Sequence, residues 1–188
     1  MSKLETNTID TVSGTTNLVI GSTNTSTITM PNGALSGQNY PAFEAYLSAD
    51  QSVTDAVFTK VAVDTEVFDT DNCYDNTTNY RFTPTVAGKY FVQGKILILS
   101  STTSNLVNSI SEIRKNGSSY IRQQTDYGTS RNTNDTISVY GIIEMNGTTD
   151  YLELWGRNNV SSGGSPVFYG NSANLYRWTG WGAYRIGA

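Results

Sequence analysis

Apolar residues along this chain recur mostly at every second position, in short runs separated by Ser, Thr, Asn and Gly. Period two is the spacing of a strand with one buried face, whereas a helix repeats at three and four. Phe43-Glu44-Ala45-Tyr46-Leu47 alternates, as do Val57 to Val63 and Ile110-Ser111-Glu112-Ile113-Arg114. Gly88 to Leu99, GKYFVQGKILIL, is longer and turns apolar on both faces at its end, which predicts a strand in the middle of a sheet. Thr136 to Met145, Asp150 to Arg157 and Leu175 to Ile186 complete the set. No run has the pattern of a long amphipathic helix, and the Ala, Leu, Glu and Lys that build one are sparse. Short strands divided by turn residues predict an all-β sandwich or barrel.

Residues 1–40 differ from the rest. Leu18 with Ile20, and Ile28 with Met30, stand as isolated apolar pairs among Ser, Thr and Asn, and Asn32-Gly33 and Gly37 punctuate the end. Such pairs read as very short strands that bury no core of their own. The segment is either a disordered tail or an intertwined β stalk in which several chains supply one another's missing partners. The expected division is therefore 1–40 and 41–188.

Loop lengths point to one end of the second part. Asn116-Gly117 and Asn146-Gly147 read as tight hairpin turns. Ser100 to Leu106, Asp126 to Asp135 and Asn158 to Asn174 are longer connections. Successive antiparallel connections alternate between ends, so the three long loops should share one end and the tight turns the other. Long loops on a rigid scaffold are common recognition sites, although many are only solvated connections. Tyr127, Arg131, Asn132, Arg157, Tyr169 and Asn171 are the candidate ligand-binding residues there, Tyr and Arg being favoured at binding hot spots.

Five stretches occur in order: Ala42-Phe43-Glu44-Ala45; Phe58-Thr59-Lys60-Val61; Tyr74-Asp75 followed by Phe82, Pro84, Gly88, Tyr90 and Phe91; Lys115-Asn116-Gly117; and Trp178-Thr179-Gly180. In that order they resemble the globular head of complement component q and its tumour-necrosis-factor relatives. One extra residue precedes Phe82, and Val92 stands where that family has a second aromatic. The resemblance covers about 145 residues. It implies a ten-strand jelly-roll sandwich that forms a homotrimer, with Phe43, Tyr140 and Tyr184 expected at the trimer interface. Phe82, Tyr90 and Trp178 are expected in the core. Gly180 and Gly182 suggest a bulge or a close backbone approach in the last strand. The first forty residues in turn resemble the N-terminal segments of phage fibre proteins, which implies attachment to other virion proteins through that segment.

Composition narrows the chemistry. The chain has no histidine and one cysteine, Cys73. The commonest general base and metal ligand are thus missing, and neither a Ser-His-Asp set nor a structural zinc site can be assembled within one chain. Asp69-Thr70-Asp71 opens like a calcium loop, but Cys73 and Tyr74 stand where a ligand and a glycine are needed. The reading is no catalytic residues, no metal and no cofactor. Cys73 has no intramolecular partner and reads as an inert thiol. With a net charge of −4 and its cations scattered, the chain is not expected to bind nucleic acid. No run of ~18 apolar residues predicts membrane insertion. The first ten residues lack the apolar core of a signal peptide, so synthesis in a host cytoplasm and use on a virion are expected. The leading expectation is a phage tail fibre or spike subunit, a trimeric adhesin that binds a host surface protein or glycan through its long loops. The alternatives are a capsid decoration, cement or adaptor protein without a host ligand, and a carboxylate-dependent glycan-degrading enzyme.

Overall fold

The computed structural model describes residues 40–101, 104–161, 165–170 and 176–187. The chain divides into two units, Met1–Gln38 and Asn39–Ala188, and every described residue belongs to the second. The expected stalk lies outside the described residues apart from Tyr40.

Eight strands of five residues or more make the frame: β1 (Ala42–Tyr46), β4 (Thr65–Asp69), β7 (Gly88–Leu99), β8 (Leu106–Lys115), β9 (Ser118–Asp126), β10 (Asn134–Met145), β11 (Leu152–Val160) and β13 (Gly180–Gly187). Five two-residue strands join them: β2 (Gln51–Ser52), β3 (Thr59–Lys60), β5 (Tyr74–Asp75), β6 (Arg81–Phe82) and β12 (Val167–Phe168). All pairings are antiparallel. The described strands number thirteen rather than ten because connecting segments lay short ladders along strands of the frame.

The first sheet runs β10-β7-β13-β1-β4, with β12 continuing along β7 beyond β13 and β2 beside it. The second runs β5-β6-β11-β8-β9, with β3 also on β11. β7 spans the residues its pattern suggested and is central, flanked by β10 along its whole length and by β13 and β12 on its other edge. Gly88 opens it at φ +144, and an added Cβ would lie 2.3 Å from the Gly187 carbonyl oxygen, so no other residue fits.

The core fills the space between the sheets. Near the start of β7 it is aromatic: Phe43 stacks on Tyr74 and Phe82 at 4.5 and 4.8 Å and meets Trp181 edge-on at 4.9 Å. Phe82 and Tyr90 are buried as expected, and Tyr90 donates its hydroxyl to the Val86 carbonyl at 2.6 Å. Trp178 is exposed instead. It precedes β13, rests on Tyr176 at 5.3 Å, and leaves its core place to Trp181. Toward the other end the core is aliphatic, with Ile96, Ile98, Leu106, Ile137 and Val160 around Phe168.

Asn116 and Gly117 both have positive φ and join β8 to β9 in the tight hairpin their sequence predicts. Asn146-Gly147 is no hairpin. It lies in the crossing from β10 in the first sheet to β11 in the second, where the Asn146 side-chain oxygen accepts from the amides of Thr148, Thr149 and Asp150.

Candidate functional site

The long loops do gather at one end. Ser100 N–H donates to the Thr133 carbonyl, Leu106 N–H to that of Asn132, and Ser161 N–H to that of Asn105. Ser165 N–H reaches Ser101 Oγ at 2.7 Å. These bonds tie the β7–β8, β9–β10 and β11–β12 connections together, because alternation brings the ends of those strands to one rim. At the opposite rim Asn116 binds Asp150 and Tyr151 across the two turn regions.

The residues expected to bind a ligand divide sharply. Arg131 and Asn132 are exposed in the β9–β10 loop. Tyr127 opens that loop but is partly buried against the core, and its hydroxyl donates to Asp135 Oδ2 at 2.8 Å. Burial, partly opposed by Ser109, pushes its phenol well up, with Asp135 adding to the rise. Tyr169 follows β12, is partly buried, and donates its amide to the Leu97 carbonyl. Asn171 lies outside the described residues. Arg157 sits within β11 on the outer face of the second sheet, where Nε bonds the Ala56 carbonyl at 2.8 Å and Nη1 bonds Asn108 Oδ1 at 3.1 Å. It fastens a neighbouring loop and is not part of the rim.

A cluster that the sequence reading missed surrounds Arg157. Glu112 is fully buried on that outer face, bound by Arg114 Nε at 2.5 Å, Arg122 Nη2 at 2.7 Å and Ser119 Oγ at 3.0 Å. Phe58 lies over the group, with the guanidinium carbons of Arg122, Arg114 and Arg157 at 4.9, 5.3 and 6.0 Å from its ring. Burial raises the Glu112 carboxyl, but the hydrogen bonds from Arg114, Arg122 and Ser119 outweigh it and hold the group below its ordinary range. The hairpin arithmetic around Asn116-Gly117 was the available signal, since it brings Arg122 opposite Glu112 once a bulge at Ile113/Arg114 is allowed for.

The outer face of the first sheet has another character. Register sets Ile142, Phe91, Tyr184 and Ala42 in one row, then Tyr140, Gln93, Gly182 and Glu44, then Ser138, Lys95, Gly180 and Tyr46. Tyr140, Ile142 and Tyr184 are 68, 59 and 52% exposed, and Ile186 is exposed beside them. Phe43, expected on the same face, is only 1% exposed, because in β1 it is Ala42, Glu44 and Tyr46 that face outward while Phe43 and Ala45 point into the sandwich. Gly180 and Gly182 let β1 come close: a Cβ on either would lie 2.6 Å from a β1 carbonyl oxygen. They therefore make the close approach their sequence suggested, whereas the irregularity in β13 falls at Arg185/Gly187. Over Gly180 runs a trough of about 1080 Å³, walled by Glu44, Tyr46, Gln93 and Lys95 and closed by Tyr176 and Trp178.

The acidic segment from the end of β4 to β5 does local work. Asp69 accepts from Asp71 N–H, Cys73 Sγ and Tyr74 N–H. Asp75 accepts from the amides of Thr77, Thr78 and Asn79, which hold its carboxyl well below the usual range. No group of three or more metal-binding side chains occurs among the described residues. Cys73 is buried, and burial together with the Asp69 carboxylate pushes its thiol far up.

No family model matches the sequence. No curated protein matches it either. Solved structures do match in fold. Murine APRIL at pH 5.0 superposes with a TM-score of 0.52 at 10% identity, over 79% of this chain and 100% of that one. Murine APRIL at pH 8.0 gives 0.50 at 12% identity over the same shares. Eiger TNF from S. frugiperda gives 0.48 at 11% identity, over 79% and 92%. Identity this low speaks of fold alone, and the fold is an antiparallel two-sheet sandwich of the tumour-necrosis-factor-like jelly-roll type.

Proposed function

We propose that this chain is a virion surface protein, the subunit of a trimeric phage tail fibre or spike that engages a protein or glycan on the host surface. The observation that carries the reading is the exposed patch of Tyr140, Ile142, Tyr184 and Ile186, with half-buried Phe91 between them, on the outer face of the first sheet. A contiguous apolar face of this kind favours burial against another surface. The partner is two further copies of the chain. A head-to-tail contact closes into a ring when its rotation is one third of a turn, and the family resemblance in the sequence supplies that symmetry.

In such a trimer the three long-loop rims lie together, with Arg131 and Asn132 turned outward as recognition residues. Each site can be weak, since linked copies raise avidity by ~10²–10⁴ with no new contact. Residues 1–40 attach the head to other virion proteins. Light scattering on the full chain and on Tyr140→Glu tests the assembly: the wild type should show three times the chain mass and the variant one. Multivalent display on susceptible cells tests recognition. A trimer that binds no such cell, found in arrays on the capsid, would replace adhesion with decoration.

A further inference from the structure

Partway along the second sheet, the side chains that face the core change character. Between β8 and β11, Ile113 stands opposite Leu154, Ser111 opposite Gly156, and Ser109 opposite Asn158. Ile113 and Leu154 belong to the apolar core, and Ser109, Ser111 and Asn158 are buried as completely as they are. Four of their atoms, Ser109 Oγ, Ser111 Oγ, Asn158 Oδ1 and Asn158 Nδ2, have no hydrogen-bond partner in the protein. The Tyr127 hydroxyl approaches Ser109 without reaching hydrogen-bond geometry, and it donates to Asp135 instead.

Buried hydroxyls and amides are nearly always paired, with protein or with ordered water, because leaving them unpaired forfeits their hydration without return. Directly opposite residues of an antiparallel ladder are close neighbours, so Ser109 and Asn158 share one spot and Ser111 is a diagonal step away. On the Gly156 side the Phe168 ring and Ile96 Cδ1, both apolar, fill the space that a side chain would take. Two hydroxyls and one amide can all donate and accept, and none carries charge. That set suits water and gives an ion no countercharge.

We propose that Ser109, Ser111 and Asn158 form an internal water-binding site between the two sheets, in the half of the sandwich nearest the long loops. A buried water needs two to four polar partners, and these neighbouring residues offer four unpaired atoms. Asn158 and Ser109 hold the water from adjacent strands, and Ser111 extends the site along β8.

A high-resolution crystal structure of the full chain, paired with oxygen-17 relaxation dispersion in solution, tests this. The expected result is ordered water within hydrogen-bond distance of at least two of the four atoms. The long-lived water population should also fall in the triple variant Ser109→Ala, Ser111→Ala, Asn158→Leu. Should that variant not fold, Ser111→Ala alone should shift or remove the water nearest it. A dry site in the wild type, with the amide and the two hydroxyls bonded to one another, overturns the proposal. So does a long-lived population that the variants leave unchanged.

Discussion

The two outer faces of the sandwich solve the same problem in opposite ways. Each sheet has an inner face on the core and an outer face that could meet water. On the second sheet the chain covers its own outer face: Phe58 folds over Glu112, and Arg114, Arg122 and Arg157 gather around its ring. Lys60 and Arg114 lie over Trp155 in the same way, with Lys60 also paired to Glu153 at 2.5 Å. On the first sheet the Tyr176–Trp178 segment covers only the part around Glu44 and Tyr46, where Arg177 pairs with Glu44 at 2.7 Å, and Tyr140, Ile142, Tyr184 and Ile186 stand exposed. A face finished within one chain serves folding, and a face left apolar is suited to assembly.

Substitutions should separate the two roles. The largest loss of stability is expected from Glu112→Ala, which strands Arg114 and Arg122 under Phe58. Roughly 3 kcal/mol is expected, the low end for breaking a buried ion pair because Arg122 keeps contact with solvent. Chemical denaturation of the full chain measures it, and a loss under 1 kcal/mol would mean the cluster is ornamental. Acid comes next. The Glu112 and Asp150 carboxyls are both held below their ordinary values, Asp150 by Lys115 and Asn116 above all. A depressed carboxyl stabilises the fold above its unfolded pKa, and that contribution fades as pH falls through the lower folded value. Stability should therefore be flat near neutrality and decline below about pH 4.3, the ordinary carboxylate range, with a shallower decline in Glu112→Gln. Phe58→Ala should cost about 1–2 kcal/mol, since it removes cation–π contacts and cover while leaving the ion pairs in place. Smallest is Tyr140→Glu, expected within about 0.5 kcal/mol in the isolated chain, as for most surface changes. If it destabilised the monomer as strongly as Glu112→Ala, the two faces would not differ in kind.

The first sheet was largely legible in the sequence and the second only in part. β7 and β10 announce themselves because one face is apolar throughout, so period two survives. β9, Ser118–Asp126, shows no alternation of its own and is implied only by the hairpin before it and the loop after it, because it is an edge strand with mostly exposed residues on both faces, and Ile121 is its one aliphatic residue. The long-loop rim could be inferred because alternation depends on strand order alone. Which residue points where could not: Phe43 and Trp178 are misplaced by reading chemistry without parity, and a one-residue shift in a strand exchanges core for surface. Arg157 reads in the sequence as the last residue of its strand, beside a long loop, whereas β11 runs on to Val160, past the apolar pattern that marks its start. Asn146-Gly147 looked like a hairpin because the dipeptide carries the turn signal but not the sheet to which the next strand belongs.

Cys73 gives experimenters a practical advantage. Its sulfur is shielded from solvent and donates to Asp69 Oδ1 at 3.2 Å, so almost none of it is thiolate under ordinary labelling conditions. Maleimide dyes and spin labels should pass over it. A single cysteine introduced on the long-loop rim, at Arg131 for instance, would then carry a probe at one defined position per chain without first removing the native thiol. Distances between such probes would report directly whether chains associate and, if they do, at what spacing.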